Sequence, residues 1–206
     1  ELAAYHVELS KGYKVIHLES QNKRIFNSKG EHKEISAKYE YDEYGNVIKI
    51  SNLGDIELEG DERFIIADYL KNSKKWVVDK PERIALHDSS MNKISEESYT
   101  YDSLSQGTAP TKGDLTSKKQ WLNSGTSPLT NYLYDSYGNL VGETDSLGHT
   151  TKYHYDATHR YLLKKINALG HMQSYSYDSK GDLTGETDSD GNKVSYSYDM
   201  FGRVIS

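Results

Sequence analysis

Four histidines, His149, His154, His159 and His171, sit close together among aspartates, a mix that could ligate a metal or relay protons. Metal chemistry needs ligands at a fixed separation, and no H-E-x-x-H or comparable pair occurs. His149 and His171 each follow a glycine, where other segments carry Asn139 or Asn192, and His159 stands where a glycine is expected. They read as variants of one recurring position. The aspartates invite a calcium reading, but no D-x-[DN]-x-[DN]-G loop is present. Serine, histidine and carboxylate occur without G-x-S-x-G or a P-loop. The expectation is a non-enzymatic chain, with no catalytic residue, no metal ligand and no cofactor. The 18 tyrosines are the remaining candidates. Aromatic faces hold sugars, so a surface glycan is a possible partner. The competing reading is packing between neighbouring strands.

The elements that carry these side chains follow from a repeated turn. Asp or Asn followed by Gly three positions on recurs at Asp135–Gly138, Asp145–Gly148, Asn167–Gly170, Asp178–Gly181, Asp188–Gly191 and Asp199–Gly202, with Asp156–His159 a degenerate member. Each step is 10 or 11 residues. Every second turn follows Tyr-x-Tyr: Tyr132/Tyr134, Tyr153/Tyr155, Tyr175/Tyr177 and Tyr196/Tyr198, so the full unit is 21 or 22 residues. A fixed period of that size marks a repeat architecture. Asp favours the first position of a type I turn, and a left-handed Gly closes a bulged hairpin. Segments 139–144, 149–155, 160–166, 171–177, 182–187 and 192–198 then become strands, each long enough for a normal sheet. The predicted fold is all-β, an antiparallel meander of tandem hairpins. Spacing of two puts both tyrosines of a pair on one face, and stacked repeats would form a tyrosine band.

The first half is less regular. Tyr39-Glu-Tyr41-Asp42 with Gly45 is a clear repeat, and Tyr99-Thr-Tyr101-Asp102 is another whose turn is expanded into a loop over 103–113. Arg63–Leu70 fits helical spacing, but its β-branched residues favour a strand. Trp76-Val-Val and Arg83–His87 read as further strands around Pro81. Lys71–Lys75 reads as a solvated loop. The expected organisation is an irregular β region over 1–115, a linker over 116–130 and regular repeats over 131–206. The chain starts at Glu1 and stops just after the last turn, which reads as a piece of a longer protein.

Composition agrees with a thin, wetted sheet. Mean hydropathy is −0.81 and only 35% of residues are hydrophobic, so burial must come largely from tyrosine, whose hydroxyl needs a partner. There is no cysteine, hence no disulfide and no thiolate metal site. No apolar run approaches a membrane-spanning length. The net charge of −6 speaks against nucleic acid.

The pattern Tyr-x-Tyr-Asp-x-x-Gly followed by a polar and a hydrophobic residue, at Tyr39–Val47, Tyr132–Leu140, Tyr175–Leu183 and Tyr196–Val204, resembles the RHS/YD-repeat family; Tyr153–His159 departs from it at the glycine. Asn46-Val-Ile-Lys-Ile, Asp61-Glu-Arg with Tyr69, Trp76–Pro81 and Tyr99–Asp102 are similar to the repeat-bearing part of Tc-toxin B components. The resemblance implies part of a curved sheet or hollow β-shell that encloses a toxic C-terminal polypeptide, in a secreted or exported bacterial protein. The implied partners are the rest of that shell and the enclosed chain. Bacterial members often close the shell with a self-cleaving aspartyl segment, and no P-x-x-x-x-D-P-x-G-L-like stretch occurs here.

Overall fold

The computed structural model describes residues 2–10 and 13–205. Two compact units emerge, Glu1–Ser127 and Pro128–Ser206. The described residues form fifteen strands, and no helix occurs among them. The first unit holds β1 (Leu2–Ser10), β2 (Tyr13–Phe26), β3 (His32–Tyr41), β4 (Val47–Asp55), β5 (Arg63–Asn72), β6 (Val77–His87), β7 (Lys93–Tyr101) and β8 (Leu115–Gln120). Each pairs antiparallel with the next. The second unit holds β9 (Leu129–Tyr134), β10 (Leu140–Thr144), β11 (Thr150–Tyr155), β12 (Leu162–Ile166), β13 (Met172–Tyr177), β14 (Leu183–Thr187) and β15 (Lys193–Ser195), again an antiparallel meander. The predicted strands of the repeat region are thus present, shortened by a residue or two at the turns. The last is cut to three residues, followed by a single bridge between Tyr198 and Val204.

The ambiguous segment at Arg63–Leu70 is a strand, β5. The expected pair of strands around Pro81 is one strand, β6, and Trp76 lies outside it, in the preceding turn at φ 56°. Proline is tolerated inside β6 because the register slips there: Asp68 pairs with Arg83 and Tyr69 with Pro81, so the missing N–H falls at a bulge. Lys71 belongs to β5; the turn starts after Asn72. Residues 116–130, expected as a linker, contain most of β8 and the start of β9, and the units divide at Ser127/Pro128.

Burial is concentrated in the first unit. Ala67 and Leu70 of β5, Val78 and Ala85 of β6 and Tyr101 of β7 are buried, and Pro110 from the 102–114 loop is fully enclosed. In the second unit burial alternates along β9 and most of β11. The tyrosine side is half-buried: Tyr132, Glu143, Tyr153, Lys165, Tyr175 and Glu186 all lie on it. The opposite side is exposed at Leu133, Lys152, His154, Lys164 and Lys193. Period-two alternation with one covered and one wet face is what an antiparallel sheet of this composition requires.

Candidate functional site

The repeat turns all close in one way. The N–H of Gly138 donates to the Asp135 carbonyl at 3.2 Å, and Gly148 to Asp145, Gly170 to Asn167, Gly181 to Asp178, Gly191 to Asp188 and Gly202 to Asp199 do the same at 3.0–3.2 Å. Gly45 repeats the bond to Asp42. These glycines hold φ between 75° and 94°, the left-handed corner of a bulged hairpin. The aspartate side chain then organises the corner. Asp135 Oδ1 accepts the N–H of Tyr137 at 2.8 Å and of Asn139 at 2.9 Å, while Oδ2 accepts the Asn139 amide at 3.1 Å.

The residue after the glycine therefore has a task, donating back to the aspartate. Asn46, Asn139 and Asn192 do so with an amide, His149 with Nδ1 at 2.9 Å and Arg203 with Nε at 2.7 Å. His171 takes the same position beside Asn167. These bonds hold the carboxylates below their ordinary pKa. Desolvation pushes Asp135 up, but the hydrogen bonds from Asn139, Tyr137 and His159 outweigh it and lower it to about 2. Asp145 is lowered first by the His149 N–H, Asp178 by the Asp182 N–H, Asp188 by the Asn192 amide and Asp199 by the Arg203 N–H. Asp156 lies well below the usual carboxylate range through the Thr158 hydroxyl and the Tyr161 N–H.

The second tyrosine of three repeat pairs in the second unit reaches backward. Tyr155 Oη donates to the Leu140 carbonyl at 3.1 Å, Tyr177 to Leu162 at 3.1 Å and Tyr198 to Leu183 at 2.8 Å, each fifteen residues upstream. In the first unit Tyr41 donates to Leu18 at 2.9 Å and Tyr101 to Pro81 at 2.9 Å. Tyr69, which has no tyrosine two positions before it, makes the same contact with Val47 at 3.2 Å. In the second unit the acceptors Leu140, Leu162 and Leu183 are the first residues of β10, β12 and β14, so each hydroxyl clasps one hairpin to the last. Burial raises Tyr101 to about 12 and also raises Tyr69, Tyr155 and Tyr177. The first tyrosines engage carboxylates: Tyr153 donates to Glu143 at 3.2 Å, Tyr196 to Glu186 at 3.2 Å and Tyr99 to Glu97 at 2.6 Å. Tyr39, Tyr132 and Tyr134 hold the matching positions in β3 and β9, and Tyr175 in β13. The expected band exists as a face, and its coupling runs through hydroxyls as well as rings; Tyr177 meets the ring of Tyr161 at 4.9 Å.

The sequence pattern places His159 in a glycine corner but misses the tie it makes to the Asp135 corner, and it misses one turn altogether. His159 holds the glycine corner at φ 58°, stacks on Tyr137 at 4.2 Å and places Nδ1 3.2 Å from Asp135 Oδ2. Asn139 donates to the His159 carbonyl at 2.8 Å, so two successive corners on one edge are joined. Asp88–Met91 is a further turn of the same kind, with Met91 at φ 63° in the glycine place and Asn92 donating to Asp88. Its signal was the Asp and the Asn four positions on. His154 takes no part in a corner and lies on the opposite face.

Asp102 is a special corner. Its carboxylate accepts four successive backbone N–H groups: Thr111 at 2.6 Å and Lys112 at 2.8 Å on Oδ2, Gly113 at 3.0 Å and Asp114 at 2.9 Å on Oδ1. Burial raises its pKa, and those four bonds more than reverse the effect. Asp102 and Ser103 are both left-handed, at φ 55° and 57°, a strain that the carboxylate bonds hold in place. Asn72 donates to the Pro110 carbonyl at 2.9 Å, seating the loop on the core.

Comparison with known families finds a likeness confined to the second unit. The RHS repeat model matches residues 134–172 and 177–206. These two segments together make up about a third of the chain and are similar to RHS repeats. The matched stretches contain the Asp135, Asp145, Asp156, Asn167, Asp178, Asp188 and Asp199 corners, so the likeness falls on the turns described above. No curated protein matches the chain by sequence. Similar solved structures include the Tc holotoxin pore of Photorhabdus luminescens, at 12% identity over 98% of this chain and 14% of that one, TM-score 0.26. A TcdB2-TccC3 crystal structure gives 13% identity over 98% and 15%, TM-score 0.28. A porin-like protein from Bacteroides uniformis gives 13% identity over 90% and 92%, TM-score 0.36. At these scores the likenesses add nothing to the strand pairing itself. The chain spans about one seventh of the length of the Tc chains it matches.

Proposed function

We propose that this chain is a non-catalytic wall segment of a larger, exported bacterial RHS shell, which encloses a toxic polypeptide until delivery. The observation that carries the reading is the coupling of RHS-like hairpins by backward-reaching tyrosines. It builds a sheet one hairpin at a time, without a thick core and with a polar, half-covered tyrosine face. Such a face suits a wall that touches a cargo chain weakly over a large area. The corner carboxylates and second tyrosines spend their polar atoms on the fold, which leaves them poor candidates for chemistry on a ligand.

The test is made on the full-length parent protein purified from its native producer. Mild proteolysis of intact particles followed by mass spectrometry should show a polypeptide outside the repeat region that survives until the shell is denatured. Equal digestion of every region before and after denaturation would defeat the container reading.

A further inference from the structure

The exposed face of the second unit segregates charge. His154 of β11 pairs in register with Lys164 of β12, Lys164 with Ser174, Ser174 with Thr187, and Thr187 with Lys193 of β15. These five residues form one row across the strands, about 19 Å long at the usual inter-strand spacing. Lys152, two residues before His154, lies diagonal to Lys164 on the same face. Lys152, His154, Lys164 and Lys193 are all exposed, and none of their side chains makes an ion pair or hydrogen bond among the described residues. No Asp or Glu occupies a strand position on this side. The strand carboxylates Glu143 and Glu186 lie on the tyrosine side, and the other acids of the unit sit in or beside the corners. Like charges side by side cost a sheet stability, and this sheet does nothing to neutralise them. In a chain of net charge −6 the arrangement is local and one-sided.

We propose that this face binds an anionic polysaccharide, a sulfated or carboxylated glycan lying along the row. The lysines supply charge at both ends and the Ser174 and Thr187 hydroxyls supply hydrogen bonds between them. The same polyanion chemistry could come from nucleic acid or a lipid surface, but the row offers no Tyr, Phe or Trp ring, only the His154 imidazole, too little to stack successive bases. Exposed large apolar strand residues on this side, such as Leu133 at 65% and Met172 at 43%, are too few for membrane insertion. The proposal is independent of the tyrosine face and of the enclosed cargo.

The test uses the 206-residue chain and heparin as the probe. Binding is measured at about 50 mM and about 300 mM salt, where screening differs strongly. The expected result is salt-sensitive binding that falls at least about tenfold in Lys152→Glu/Lys164→Glu/Lys193→Glu. A charge-matched control, Lys29→Glu/Lys119→Glu/Lys180→Glu, should stay within about twofold of the parent. Circular dichroism confirms that both variants keep their β-sheet. If the face variant unfolds, single Lys→Gln changes at the three positions replace it and should each weaken binding. No binding by the parent chain, or equal loss in the control, overturns the proposal. Duplex DNA or anionic vesicles binding as tightly as heparin would also overturn it, since the face would then not select a glycan.

Discussion

Asp102→Asn gives the sharpest test of the corner chemistry. The carboxylate accepts four backbone N–H groups, two on each oxygen. An asparagine keeps one carbonyl oxygen and presents an NH2 where the other oxygen stood, so one pair of N–H groups faces a donor. Hydrogen bonds to a charged group are worth about 1.5–3 kcal/mol each, and water repays roughly half of two lost bonds in so exposed a loop, leaving about 1.5–3 kcal/mol. Trp76 and Trp121 are the only tryptophans and both lie in the first unit, so their fluorescence reports its unfolding. With a urea m-value of about 1–3 kcal/mol/M, the midpoint should drop by roughly 1 M with m unchanged. Limited proteolysis should cut first after Lys112. Asp88→Asn, in an exposed corner with only two backbone N–H groups on its carboxylate, should move the midpoint less. Equal shifts for the two variants would refute the argument that Asp102 holds the long loop.

Three further outcomes are expected. Tyr101→Phe removes a buried hydroxyl that donates to the Pro81 carbonyl; urea denaturation should show a loss of about 1–3 kcal/mol, larger than for Tyr177→Phe, and equal losses would contradict the burial difference. Gly138→Ala adds a Cβ in open space and should cost about 1–2 kcal/mol for the left-handed backbone alone. Gly181→Ala also drives that Cβ into the Tyr161 ring and should cost more, so thermal melts that rank them the other way would be contrary evidence. The corner aspartates have folded pKa values below their ordinary 3.8, so their stabilisation is complete above that value and disappears as pH falls through the lower folded values, about 2 for Asp135. Circular dichroism with urea titrations from pH 5 to pH 2 should show stability falling below pH 4; a flat profile would contradict it.

The second unit was legible because Asp and Gly at fixed spacing dictate a turn by their own backbone preferences, whatever surrounds them. Asp135–Gly138 and its successors needed no tertiary context. Asp88–Met91 did: methionine has no intrinsic liking for φ 63°, and the surrounding hairpin and the Asp88 bonds impose it. Pro81 argued for a break because proline cannot donate to a ladder, yet a bulge in β6 absorbs the missing donor, and bulges leave no residue signature. The tyrosine clasp was half visible. The pairs predicted a shared face, but the partner of each clasping tyrosine is a main-chain carbonyl, which any residue type can supply. Tyr69, without a paired tyrosine, shows the same role outside the Tyr-x-Tyr pattern. The organisation of the 102–114 loop depended on a single carboxylate reaching across about ten residues, which local pattern cannot reveal.

Every tyrosine clasp points toward residues made earlier in translation: Tyr155 to Leu140, Tyr177 to Leu162, Tyr198 to Leu183. A hairpin leaving the ribosome therefore finds its anchor already in place and can fasten without waiting for anything downstream. The backward bonds suit vectorial growth of the sheet, like laying courses of brick. Removing the final course forfeits one fastening, whereas excising a course from the middle leaves the next one reaching for a misplaced anchor.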